Sequence, residues 1–206
     1  NGSNGNNNNM TLKEYVNQEG KGSYGYKRTP LMIATDQAII DYLFSILLDG
    51  VTLNTSNATD EYKKLFPKGT PLVCACEKGR FEDVKLLITG YNDVNGSNGN
   101  NNNMTLKEYV NQVGKDSDGD DCTPLMAAAD EAIIDYLFSI LLDGITLNTN
   151  TLNDVYKKAF PRGTPIVCAC EKGRFEDVKL LITGYNDVNG SNGNNNNMTL
   201  KEYVNQ

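Results

Sequence analysis

Residues 70–95, TPLVCACEKGRFEDVKLLITGYNDVN, decide how the rest of the chain is read. The stretch opens on Thr-Pro-Leu, passes through a short apolar run and turns at Gly79. It continues into a segment where Phe81, Val84, Leu87 and Ile88 recur at helical spacing. Thr before Pro signals a helix start: the threonine caps, and proline at the first helical position has its φ already set and lacks only an N–H that would go unpaired anyway. Two helices joined by a glycine turn are therefore expected. Leu72, Cys74, Ala75 and Cys76 are small enough for neighbouring helices to approach closely, and one such pair cannot bury both of its flanks alone.

The same 26-residue frame returns almost letter for letter at 164–189, and with altered letters but identical length at 29–54 and 123–148. Two motifs thus alternate, A (from Thr29 and Thr123) and B (from Thr70 and Thr164), inside a longer unit. Residues 1–94 and 95–188 are copies of that unit, matching at roughly four positions in five, and 189–206 begin a third. A unit repeated at fixed internal length is the mark of a stacked, quasi-linear array. The segments expected are 1–28, 29–69, 70–122, 123–163 and 164–206, forming one continuous domain.

Motif B resembles the ankyrin repeat. Thr70, Pro71 and Leu72 match that family's opening, Ala75 its alanine run and Gly79 its interhelix turn. Val84, Leu87 and Ile88 match the second helix, and Asp93, Val94 and Asn95 the exit toward a β-turn. Motif A keeps Thr29, Pro30, Leu31, Ala34, Leu43, Ile46, Leu47, Gly50 and Asn54. The fold class implied is all-α: an ankyrin-like solenoid of stacked helix-turn-helix repeats, with extended hairpin or loop and mini-helix insertions. The departures are specific. The family histidine is Met32, Val73, Met126 and Val167 here, and Ala38 and Ala132 stand where the interhelix glycine belongs. The family period is about 33 residues, whereas Thr29 to Thr70 is 41 and Thr70 to Thr123 is 53.

Something extra is therefore built into every connection. Between A and B, Tyr62, Leu65 and Phe66 precede Pro67, which predicts a two-turn helix docked on the array by its apolar edge. Between B and A, GSNGNNNN reads as a mobile surface loop. MTLKEYVNQ follows, where Thr105 and Glu108 form a capping box and Leu106, Tyr109 and Val110 an apolar stripe, predicting a second mini-helix. The sequons at Asn9, Asn103 and Asn197 matter only in a secreted protein.

Beyond MTLKEYVNQ the copies part company. The first carries Tyr24, Tyr26, Lys27 and Arg28; the second carries Asp116, Asp118, Asp120 and Asp121. The resemblance implies that this segment is a protruding hairpin finger and that finger tips and first-helix starts grip partners. It makes the first finger a basic, aromatic contact and the second an acidic one. The exposed helix positions would be Asp36, Gln37, Glu77, Lys78, Asp130, Glu131, Glu171 and Lys172. The acidic finger also resembles the start of an EF-hand loop, but its sixth position is Asp121 and its twelfth Ala127, so the glycine and the bidentate glutamate are missing.

Composition narrows the function. A net charge of −7 lacks the basic balance of a nucleic-acid binder, and no apolar run approaches the length of a membrane span. Five cysteines with no histidine read as free thiols in a reducing, intracellular compartment, the cytoplasm being the expectation, with no metal or cofactor site. Without histidine or a phosphate-cradling Gly-Lys-Ser/Thr loop, no enzyme is expected. Two functions stay open: a non-catalytic scaffold that binds a protein partner through fingers and concave first-helix face, and a structural rod whose uncapped ends associate head to tail.

Overall fold

The structure, a computed structural model, describes residues 10–21, 25–51, 55–97, 104–146 and 149–191. It is mostly helical. The first unit runs α1 (Leu12–Val16), β1 (Gly20–Lys21), β2 (Lys27–Arg28), α2 (Pro30–Ile33), α3 (Gln37–Leu47), α4 (Thr55–Leu65), α5 (Pro71–Glu77) and α6 (Phe81–Ser97). The second repeats it as α7 (Leu106–Val110), β3 (Gly114–Lys115), β4 (Asp121–Cys122), α8 (Pro124–Ala127), α9 (Glu131–Leu142), α10 (Thr149–Ala159), α11 (Pro165–Glu171) and α12 (Phe175–Ser191). No helix among the described residues is long and apolar enough to cross a membrane. The Asn-rich tracts before Met10 and at 98–103, and the three sequons, lie outside the described residues.

Local chemistry sets the helix starts. Thr29 and Thr123 accept the N–H of Met32 and Met126, each with proline at the first helical position. Asp36 and Asp130 cap α3 and α9 through the N–H of Ile39 and Ile133. The capping box is complete at Thr11–Glu14 and at Thr105–Glu108. Backbone and hydroxyl hydrogen bonds from each threonine hold the two glutamates below the usual carboxylate range.

Motif B turns at Gly79 and Gly173, both in the left-handed region, with φ of +64° and +65°. Motif A turns differently. Its first helix ends after four residues, and Ala34 and the capping Asp36 are both extended. Ala38 and Ala132 therefore lie inside the second helix, where no left-handed residue is needed. The exit is also unlike the β-turn that the resemblance implies: α6 runs through Gly90 and past Asn95 to Ser97. Tyr91 occupies the place of a terminating glycine, so nothing left-handed ends the helix there.

The insertion between motifs is larger than the expected two turns. Helix α4 has 11 residues, and it packs on α6 and α5. Ala58, Tyr62, Leu65 and Phe66 are all buried, and the Tyr62 ring centroid lies 5.7 Å from Phe44. In the second unit Leu152, Tyr156, Ala159 and Phe160 take these positions and are likewise buried. Ala58 is therefore a core position. The large residue has moved: Ala58 with Leu65 becomes Leu152 with Ala159, seven residues apart on one helix face, so the side-chain volume packed under the helix is conserved.

A polar relay accompanies each inserted helix. The Tyr62 hydroxyl donates to the buried carboxylate of Asp83, Arg80 donates to the same carboxylate at 3.3 Å and to Asp41 at 2.9 Å, and its guanidinium covers Phe44. Tyr156, Asp177, Arg174, Asp135 and Phe138 repeat the arrangement, with Tyr156 to Asp177 at 2.8 Å. One contiguous apolar core joins the units, reaching from Leu31 to Leu181. Across the join, α5 packs on α8 and α6 on α7 and α9.

Candidate interaction groove between the two hairpins

Each finger is a short antiparallel hairpin. Gly20 pairs with Arg28 and Lys21 with Lys27; Gly114 pairs with Cys122 and Lys115 with Asp121. Tyr24 lies outside the described residues. The second hairpin turns on Asp116, whose carboxylate accepts the N–H of Asp118 at 2.9 Å and of Asp120 at 2.8 Å, with Gly119 at φ +94°. Asp121 pairs with Lys115 across the strands. Asp116 and Asp121 thus have separate tasks, and no group of three or more metal-ligating side chains gathers among the described residues.

The hairpins enclose an open groove of about 410 Å³. Tyr26, Met32 and Ile33 give it apolar lining, and Glu77, Ser117 and Asp118 polar lining. Tyr26 and Ile33 are exposed, while Met32 is buried. Arg28 reaches across to Asp118 at 2.7 Å. The basic and acidic fingers, read from sequence as separate contacts for a partner, meet each other here. Both groups are partly exposed, so the pair contributes about 0.2–1 kcal/mol and serves more to fix the spacing of the fingers than to stabilise the fold.

Lys78 is buried, against the expectation of an exposed helix position. Its ammonium donates to the carbonyl oxygens of Met32 at 3.2 Å and Ala34 at 3.4 Å. Because α2 stops after one turn, its last carbonyls have no intrahelical donor, and the lysine of the next motif supplies one. Lys172 repeats this on Ala128 at 2.9 Å and is half-buried. Glu77 accepts both the N–H of Ser117, at 3.0 Å, and its hydroxyl, at 2.7 Å, which ties the second hairpin to α5.

Of the other sequence-derived candidates, Lys27, Asp120 and Asp121 are exposed on the hairpins. Asp36 and Asp130 are exposed caps, and Gln37 bonds Asp41 at 3.0 Å. Glu131 and Glu171 are exposed away from the groove. The groove therefore collects Tyr26, Arg28, Glu77, Lys78 and Asp118 and leaves the rest outside. Ile33 and Ser117 were missed. Ser117 carried a usable signal, sitting between two acids at the hairpin turn; Ile33 is Ala127 in the other copy and carried none.

All five thiols are free. Burial pushes Cys74 up to about 12 and drives Cys76 higher still; burial and then the Asp116 and Glu77 carboxylates push Cys122 up to about 11. None of the three is a thiolate near neutral pH, which makes them packing groups rather than nucleophiles. Cys170 is exposed, although its counterpart Cys76 is buried. Compared with family models, curated proteins and solved structures, the chain has no match in any of the three.

Proposed function

We propose that this chain is a non-catalytic scaffold of ankyrin-repeat type that holds a segment of another protein in the groove between its hairpins. The observation that carries the reading is the pairing of an exposed apolar lining, Tyr26 and Ile33, with a polar lining of Glu77, Ser117 and Asp118. Such a groove suits a segment that places one apolar side chain on the first and donors toward the carboxylates of the second. The Arg28–Asp118 bridge ties the two hairpins together beside this lining. The Thr-Pro-Leu starts, the Gly79 and Gly173 turns and the fixed motif length support the family reading. The free thiols support a reducing compartment.

The test is capture from a cell lysate on the immobilised chain, run beside Tyr26→Ala and Ile33→Asp variants. Both positions are exposed, so the variants keep the fold. The proposal expects a set of proteins retained by the parent chain and lost by both variants. An unchanged set would contradict it.

A further inference from the structure

The Arg28–Asp118 bridge holds, within the chain itself, a sample of the chemistry the groove accepts. The Arg28 guanidinium donates to Asp118 at 2.7 Å and lies 6.0 Å from the centroid of the Tyr26 ring. The two side chains are 33% and 41% exposed, so a competing group can reach the pair. Arg28 is not needed to build its hairpin. In the second unit Cys122 takes its place, and that hairpin forms in the same register, with Gly114 opposite Cys122 as Gly20 is opposite Arg28.

The other charges lining the groove are already committed. Glu77 accepts the N–H and hydroxyl of Ser117, and the Lys78 ammonium is buried on the Met32 and Ala34 carbonyls. Asp118 is the acceptor whose partner can be exchanged. The field around it is negative: the same hairpin carries Asp116, Asp120 and Asp121 against Lys115, and the whole chain carries −7. The Cys122 thiol registers that field, since after burial the carboxylates of Asp116, Glu77, Asp120 and Asp121 all raise it. Tyr26 and Ile33 add an exposed ring face and an exposed aliphatic side chain. Asp120, which stands at the place of Tyr26 in the second hairpin, is exposed although the first unit precedes it, so exposure there belongs to the position on the hairpin.

We infer that the segment held in the groove carries an arginine close to an apolar side chain, and that its guanidinium takes the place of Arg28 on Asp118. The incoming guanidinium bonds the carboxylate and lies over the Tyr26 ring, while the apolar side chain covers Ile33. Arg28 is then an internal competitor that ties the hairpins together until it is displaced. An acidic segment is disfavoured, because it would face Asp116, Asp118 and Asp120. The inference rests on the groove being the docking site, as proposed above, and adds the chemistry of what docks.

NMR titration of the isotope-labelled full chain tests it, using the peptide Gly-Leu-Gly-Arg-Gly-Ser and a copy with glutamate in place of the arginine. The arginine peptide is expected to shift the Arg28 Nε–H signal and the amides of Tyr26 and Asp118, and the glutamate peptide to leave them in place. Arg28→Met removes the competitor and should bind the arginine peptide about 1.4- to 5-fold more tightly, the affinity equivalent of one exposed bridge. Asp118→Asn should bind it at least about tenfold more weakly. Helical circular dichroism verifies that both variants fold. No shift with the arginine peptide, equal binding of the two peptides, weaker binding to Arg28→Met, or binding unchanged in Asp118→Asn would overturn the inference. Lysate capture separates this from the groove reading. Proteins lost with Tyr26→Ala but retained by Asp118→Asn would overturn the arginine assignment alone, whereas a set unchanged by Tyr26→Ala would contradict the groove itself.

Discussion

The guanidinium carbon of Arg80 lies 4.3 Å from the centroid of the Phe44 ring, and Arg174 stands over Phe138 at the same distance. Each arginine belongs to motif B and each phenylalanine to motif A, so the contact ties the two motifs together directly. The same guanidinium neutralises a carboxylate, Asp83 or Asp177, that is almost fully buried. Removing it leaves that charge with only a tyrosine hydroxyl. Arg80→Met is expected to destabilise the chain by about 3 kcal/mol in urea unfolding. Replacing Arg80 and Asp83 together by Met and Asn should cost less than the single change. A loss within about 0.5 kcal/mol for Arg80→Met would contradict the role assigned to the relay.

The exchange of Ala58 and Leu65 for Leu152 and Ala159 makes a second prediction. Leu65→Ala in the first unit opens a cavity under α4 and should cost about 2–5 kcal/mol. Adding Ala58→Leu recreates the second unit's arrangement and should recover most of that loss, whereas Ala58→Leu alone overpacks the site. Additive effects of the two substitutions in thermal or urea unfolding would show that these positions do not share one volume.

Gly114→Ala should loosen the second hairpin, because the new methyl cannot fit against Thr70 and Val73. The expected cost is about 1–3 kcal/mol. Hydrogen exchange should then rise at the amides of Thr70 and Lys115 while α3 and α4 stay protected. Exchange unchanged at Thr70 would mean that the hairpin does not seat as described.

Alkaline pH should unfold the chain early. Burial raises Cys74, Cys76 and Cys122 in the folded state, and it raises Tyr62 and Tyr156, with the carboxylates of Asp83 and Asp177 adding to the effect. These acids are neutral when protonated, and the unfolded chain loses the protons first. The stability linked to them is therefore complete below the unfolded thiol value of about 8.5 and falls as pH rises through it, then falls further above about 10 as tyrosines ionise. Urea midpoints measured from neutral pH upward should decline over that window, and Cys74→Ala with Cys122→Ala should flatten its first limb. A midpoint that rises with pH there would reverse the sign and refute the assignment.

Much of the helical layout was legible because its signals are local. Threonine before proline, the capping box and the glycine after Glu-Lys each act within a turn of the residue that carries them, whereas Asp36 and Asp130, read as partner contacts, turn out to be helix caps. What was not legible depends on residues far apart in sequence. Lys78 sits in a Glu-Lys-Gly run that reads as a solvated helix end, and only the early stop of α2 gives its ammonium buried carbonyls to bind. Arg28 and Asp118 lie in different copies, so their meeting follows from how the units pack and not from either finger's composition. The aspartate at 83 reads as an ordinary acid in the first turn of a helix until α4 is placed over it. Sequence suggested that α4 docks on the array, but not that its tyrosine is buried against Phe44 and Asp83.

The central claim is that identical segments take different environments because the units pack in series. Tyrosine footprinting by hydroxyl radicals, read by mass spectrometry on the chain diluted to monomer, tests it most directly. Tyr42 and Tyr136 sit in the same Ile-Ile-Asp-Tyr-Leu-Phe sequence, and Tyr15 and Tyr109 in the same Leu-Lys-Glu-Tyr-Val sequence. The first of each pair is exposed; Tyr136 is covered by Phe81, and Tyr109 stacks on Tyr91 at 4.0 Å. The account predicts faster modification at Tyr42 and Tyr15 than at Tyr136 and Tyr109. Equal rates within each pair would contradict it.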